Sequence, residues 1–225
     1  MHNIIIPDNM KAVASACFTG KNPGADQESI ANHYKTTRDH IYFPIQKHTD
    51  KVAVIEASLE PVIADAVVTR QRGLLIGVQV ADCVPILLCD PEKQVVGAVH
   101  AGWRGTAEAI LKKTIHIFCE KFFSNPADIL VAIGPSIRQR CYEVDGDVIR
   151  AVSHATGDGA YIRTKGDKFC LDLASANMLQ ALTMGIPESN TWISDDCTFC
   201  SPEKFFSYRF SKGLAGRQAG FIGLI

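Results

Sequence analysis

Cys83 and His100 stand where one short turn would bring two chemically capable side chains together. Between them, Asp90-Pro91-Glu92-Lys93 has the composition of a type I turn, with Asp first and Pro, its φ already set, second. The runs Val84–Cys89 and Val95–Val99 flank it and are apolar and rich in Val, Leu and Ile, so the segment reads as a β-hairpin buried on both faces. With Asp90 facing Lys93, Cys83 lies opposite His100. Opposed side chains of an antiparallel pair share a face, with Cβ atoms about 5 Å apart. A metal bound at about 2.3 Å to sulfur and about 2.0 Å to imidazole fits between two such groups. A longer loop would shift the register by two and leave the pair diagonal on the same face. Thiolate plus imidazole suits zinc or copper. The same two groups are the minimum of a metal-free nucleophilic dyad, and each alone can be an ordinary core thiol or a hydrogen-bonded histidine.

Further candidates surround this pair. Ala101-Gly102-Trp103-Arg104-Gly105-Thr106 leads into a helix whose first amides favour anions. Arg104 there can clamp a phosphate or carboxylate, or form a surface salt bridge. Asp82, beside Cys83, and Glu143, in Cys141-Tyr142-Glu143-Val144, are carboxylates suited to general acid/base work or to capping. Cys197-Thr198-Phe199-Cys200 is a CxxC without a second CxxC or a histidine pair at zinc-finger spacing, and reads as two ordinary thiols near the site.

The elements that must position these residues follow from periodicity. Strand-like runs occupy Ile41–Gln46, Val52–Glu56, Ala64–Thr69, Leu74–Val80, Val84–Cys89, Val95–Val99, Ile129–Ile133, Lys168–Leu171, Thr191–Ser194 and Phe221–Leu224. Helical spacing appears over 106–122, with Thr106 as N-cap and Ile110, Leu111, Ile115, Phe118 and Phe122 on one face. Asp147–Ala155, Leu173–Met184 (with Gly185 as the residue after the cap) and Gln27–Lys35 are further helices. Several strands follow one another without intervening helices, which predicts an α+β fold: a mixed β-sheet with flanking helices, as a single domain over residues 1–225.

Composition narrows the partners. Lys and Arg total 23 against 24 for Asp and Glu, with no basic stripe, which argues against a nucleic-acid ligand. The amino terminus has no basic segment ahead of a long apolar run, and the most apolar stretch, Leu74–Cys89, is broken by Gln79, Asp82 and Pro85. Neither a signal peptide nor a membrane span is expected, and the eight cysteines read as thiols or ligands of a cytoplasmic protein rather than as disulfides. A small-molecule substrate is the expectation; oligomeric state is not encoded in any motif.

The blocks ADCVPILLCDP, GAVHAGWRGT, AIGPSIRQRCYEV and FFSYRFSKGLAGRQAGFIGLI resemble, in that order, the multicopper polyphenol oxidase or laccase-like family. The resemblance runs from about Gln46 to the carboxyl end. Many members are described as zinc-dependent purine nucleoside phosphorylases with adenosine deaminase activity. It implies a metal, Zn2+ or else Cu2+, held by Cys83, His100 and, through Gln46-Lys47-His48, by His48. It implies adenosine, inosine or methylthioadenosine plus phosphate as substrates, with Arg104, Arg209 and Arg217 holding the anion. Two positions depart from the pattern: Thr49 replaces the usual Gly, and Ser207-Tyr208-Arg209-Phe210 with Ala215-Gly216-Arg217 lacks one Arg and one Thr. A Cys83/His100 amidase acting on cell-wall precursors is the alternative from another class, for which His48 would have no use. Copper-dependent phenol oxidation would need more clustered histidines than seven scattered ones offer, and a non-catalytic binding module would waste the Cys-His-Arg cluster.

Overall fold

A computed structural model describes residues 3–166 and 168–224. Among these residues two mixed sheets stack face to face. The six-stranded sheet runs in the order Thr191–Ile193, Leu130–Ile133, Val84–Asp90, Val95–Ala101, Ala66–Thr69, Val52–Ile55, and is antiparallel at its centre and parallel at both edges. The five-stranded sheet is ordered Ile4–Ile5, Ala14–Thr19, Gln218–Leu224, Leu75–Val80, Ile41–Tyr42. A small three-stranded sheet, Glu143–Val144, Lys168–Leu171 and Ile162–Lys165, lies apart from them. The class is α+β, as expected, but with two principal sheets where the sequence suggests one.

Alternation along the hairpin explains why it is apolar at nearly every position. Leu87, Cys89, Val96 and Ala98 point between the two sheets, where they meet Phe18, Ile76, Val78 and Ile222. Ile86, Leu88, Val95 and Val99 point the other way, onto Leu111, Ile115 and Phe118 of helix Ile110–Phe122 and onto helix Leu173–Thr183. Both faces are dry, so neither can carry polar residues without partners. The outer face of the five-stranded sheet is covered by helix Gln27–Tyr34 through Ile30 and Ala31.

Three sequence expectations are corrected. The hairpin pairs Asp90 with Val95, not Lys93, so Pro85 rather than Cys83 faces His100. The loop is four residues, Pro91–Gln94; the Asp90 carboxylate accepts from the Lys93 N–H at 2.9 Å, and Gln94 takes a left-handed φ of 54° to rejoin the ladder. The helix predicted over 106–122 is two helices, Trp103–Ala107 and Ile110–Phe122, broken at Ala109 with φ 55°. Thr106 is therefore not an N-cap. It is buried in the first helix, where its hydroxyl accepts from Asn177 and its carbonyl from Gln180. Finally, the run at Ile41–Gln46 is strand only over Ile41–Tyr42, because Pro44 cannot continue the ladder.

Candidate metal centre

The two-residue register shift leaves Cys83 diagonal to His100 and on the same face, the one turned toward the second sheet. Cys83 lies just before strand Val84–Asp90 and His100 near the end of strand Val95–Ala101. A loop delivers His48 to them. The Gln46 side chain pairs reciprocally with the backbone of Gln79, donating at 2.9 Å and accepting at 2.8 Å, and so fastens that loop to the edge of Leu75–Val80. The ligand atoms of His48, Cys83 and His100 all lie within 4.8 Å of one another, with Cys83 Sγ 3.9 Å from His48 Nε2. The two imidazoles meet edge to face, with centroids 4.8 Å apart. His48 itself has φ 59°, a left-handed conformation uncommon outside glycine.

Asp65 enforces it, and no chemical motif in the sequence singles this residue out. Fully buried, its carboxylate accepts from the N–H groups of Lys47 (3.2 Å), His48 (3.0 Å) and Thr49 (2.6 Å), from the Thr49 hydroxyl (2.8 Å), and from Nδ1 of His100 (2.8 Å). One carboxylate thus folds the His48 turn and orients the His100 ring. Burial alone would raise its pKa, but the hydrogen bonds from His100 and Thr49 outweigh that and hold Asp65 well below the usual carboxylate range. Thr49, the departure from Gly, contributes its hydroxyl to this network. Gly102 completes the centre by its lack of a side chain: a Cβ there would lie 3.0 Å from Cys83 Sγ and 3.2 Å from His48 Cδ2.

Without a metal the trio is strongly polarised. Burial pushes the Cys83 thiol up, yet the charge and hydrogen bonds of His100 and His48 bring it down to about 6. Burial pushes His100 down, yet Cys83 and Asp65 carry it up to about 9. Cys83 and His100 are therefore thiolate and imidazolium near neutral pH. A cation able to replace the imidazolium proton finds one thiolate, two imidazoles and a carboxylate already orienting one of them, a donor set that fits a borderline-soft metal.

The trio opens into a cavity of about 640 Å³. Arg104, Arg209 and Arg217 line it with Trp103, Tyr142 and Tyr208. Arg104 stacks on Trp103, and Arg209 lies 5.2 Å from the Tyr142 ring centroid while donating to the Glu143 carbonyl. Asp82 also lines the cavity, but its nearly buried carboxylate accepts from Thr198 Oγ1 (2.6 Å), Ser207 Oγ (3.0 Å) and the Arg209 N–H (2.7 Å). The Glu143 side chain is not part of the lining and pairs with Lys168 at 3.1 Å. The structure thus brings His48, Cys83, His100, Asp82 and the three arginines together and leaves the Glu143 carboxylate outside.

Over residues 22–225 the chain matches the family described as multi-copper polyphenol oxidoreductase laccase. It belongs to that family. Within this laccase-like family, the chain is similar to the purine nucleoside phosphorylase YlmD of Geobacillus stearothermophilus, at 32% identity over 91% of this chain and 82% of the relative. It is also similar to the adenosine deaminase RL5 of an unknown prokaryotic organism, at 38% identity over 76% of this chain and 70% of the relative. The solved structure of the Bacillus licheniformis hypothetical protein YfiH superposes with a TM-score of 0.91 at 28% identity, covering 99% of this chain and 97% of that one. No helix among the described residues is long and apolar enough to cross a membrane.

Proposed function

We propose that the chain is a zinc-dependent purine nucleoside phosphorylase, acting on adenosine, inosine and methylthioadenosine, with adenosine deaminase activity in the same cavity. The observation that carries this reading is the convergence of His48, Cys83 and His100 with three arginines and three aromatic side chains on one cavity of about 640 Å³. That volume suits a nucleoside and an anion together. Three protein ligands leave the fourth tetrahedral position open, as catalytic zinc requires, and one thiolate with two imidazoles is a set that zinc accepts. Held there, zinc supplies Lewis acidity and a water acidified toward neutral pH.

The chain's own residues do the rest. Asp65 keeps Nδ1 of His100 occupied, so that Nε2 is the ligating nitrogen. Arg104, Arg209 and Arg217 bind phosphate by charge-assisted hydrogen bonds, and Trp103, Tyr142 and Tyr208 offer faces to a purine. With both oxygens engaged, Asp82 serves as a positioning residue that holds the segment bearing Arg209 against the metal ligands. Tyr142, pushed up to about 12 chiefly by burial, stays protonated and lines the cavity as a hydroxyl donor. Copper is the second metal this donor set accepts.

Incubation with phosphate and inosine or adenosine, followed by chromatography, tests the reading: free base and ribose 1-phosphate are expected, with slow conversion of adenosine to inosine. Cys83→Ala should abolish both together with about one metal equivalent per chain. One observation favours a second reading, a Cys–His amidase: the Cys83 sulfur lies within 4.8 Å of a His100 ring nitrogen, the minimum of a thiol–imidazole pair. A metal-loaded protein that releases no base, combined with amide cleavage stopped by a thiol-blocking reagent, would put the amidase in its place.

A further inference from the structure

Three sulfur atoms that the cavity chemistry does not use lie together behind the cavity wall. Cys141 ends the short 3-10 turn Gln139–Cys141; Cys197 and Cys200 come from the turn that follows strand Thr191–Ile193. Their Sγ atoms all lie within 4.8 Å of one another, and Cys141 Sγ is 3.0 Å from Cys200 Sγ. Backbone fixes the arrangement. Ser136 and Cys197 form a parallel bridge, Thr198 N–H donates to the Ser136 carbonyl at 3.1 Å, and Arg138 N–H reaches Cys197 Sγ at 3.5 Å. Burial is graded from Cys197, buried, through Cys141, half-buried, to Cys200, exposed, so the group opens to solvent on one side.

Thiols packed as small apolar groups look different in this protein. Cys17 and Cys89 are fully buried among aliphatic and aromatic side chains. Cys141, Cys197 and Cys200 instead turn their sulfurs on one another, where weak S–H donors gain little. Soft donors converging on a common point are what a soft, filled-shell cation requires. Charge is matched as well: three thiolates around a divalent ion carry one net negative charge, and the exposed guanidinium of Arg140 hydrogen-bonds Cys200.

We propose that Cys141, Cys197 and Cys200 form a second metal site, for a soft thiophilic cation such as Zn2+ or Cu+, separate from the His48–Cys83–His100 centre. Loading it replaces three S–H bonds with three sulfur–metal bonds and releases three protons to solvent. A zinc ion completes its tetrahedron with solvent on the Cys200 side, whereas Cu+ needs no fourth ligand. The ion cross-links the turn ahead of Tyr142 to the segment whose Thr198, Ser207 and Arg209 grip Asp82, and so braces the cavity wall from behind.

The test uses the His48→Ala/Cys83→Ala protein, which removes a thiolate and an imidazole from the first centre. Cd2+ serves as the probe, because its ultraviolet charge-transfer band reports thiolate ligation only. Wild type should take up about two Cd2+ or Zn2+ equivalents, the double variant about one, still with the thiolate band, and three fewer of its thiols should react with a disulfide reagent once loaded. Adding Cys200→Ser, at an exposed position, should remove that equivalent and that band while circular dichroism shows a folded chain. If the double variant takes up no metal and shows no thiolate band while remaining folded, the proposal is overturned. It is equally overturned if freshly purified protein carries a Cys141–Cys200 disulfide by non-reducing peptide mass and Cys200→Ser leaves metal uptake unchanged.

Discussion

The Asp65 carboxylate accepts from Nδ1 of His100 at 2.8 Å and from the backbone N–H of His48 at 3.0 Å, so a single buried anion positions two of the three residues proposed as metal ligands. Its role is distinct from that of His48, Cys83 and His100, since all its contacts are to N–H and O–H donors of the protein.

Asp65→Asn separates the charge of this group from its shape. The amide keeps an acceptor but brings an N–H pair toward donors it cannot satisfy. Metal affinity should fall by about tenfold to a hundredfold, the usual effect of losing a carboxylate behind a histidine ligand. Competition with a chromophoric chelator measures it; unchanged affinity would remove Asp65 from the site.

The metal-free Cys83 thiol should alkylate as a thiolate. Its pKa, brought down to about 6 by the histidines beside it, lies below that of an ordinary thiol, so the rate with iodoacetamide should rise with pH through a midpoint near 6 and level off above it. His100→Gln removes the largest favourable partner and should move the midpoint upward. Bound metal should suppress the reaction at every pH. A midpoint near that of a free thiol in the metal-free wild type contradicts the ion pair.

Gly102→Ala places a methyl group 3.0 Å from Cys83 Sγ and 3.2 Å from His48 Cδ2, tighter than nine in ten Cβ contacts, so both side chains must give by a few tenths of an ångström. The glycine has φ −73°, which alanine tolerates, so the fold should survive and the ligand geometry should not. Metal content should drop while the thermal midpoint of the metal-free protein changes little. Full metal content in the variant would show that the close approach is dispensable.

Arg104→Ala should lower kcat/KM for phosphorolysis far more than for deamination, because only the first reaction needs a bound anion. Equal losses in both would assign Arg104 to the nucleoside rather than to phosphate.

Much of this architecture is legible in the residues. Two apolar runs flanking Asp90-Pro91 announce a hairpin buried on both faces, and its parity keeps Cys83 and His100 together even though the true loop is longer. The register itself depends on Gln94 adopting a left-handed backbone, for which a glutamine carries no signal. Strand Ala14–Thr19 is hidden because Ala-Ser-Ala-Cys has poor strand propensity, and burial between neighbours overrides it. Asp65 did leave a trace: a lone acid in the apolar stretch Val62–Val68, a placement that demands partners. Cys141 could not be joined to the Cys197/Cys200 pair from spacing, since long-range contacts such as the Ser136–Cys197 bridge bring them together.

The order in which the strands become available gives the middle of the five-stranded sheet a further meaning. Strand Gln218–Leu224 lies between Ala14–Thr19 and Leu75–Val80 and pairs with both. During synthesis these two must therefore wait, with their inner edges open, until residues 218–224 have emerged. The same late segment draws in the stretch from Cys197 to Arg217, which carries the grip on Asp82 and two of the three arginines. A nascent chain can thus hold Cys83 and His100 on a finished hairpin and still lack the wall that carries Arg209 and Arg217. The cavity wall is therefore complete only once strand Gln218–Leu224 has paired, and until then the inner edges of its two neighbours stay open to wrong pairing.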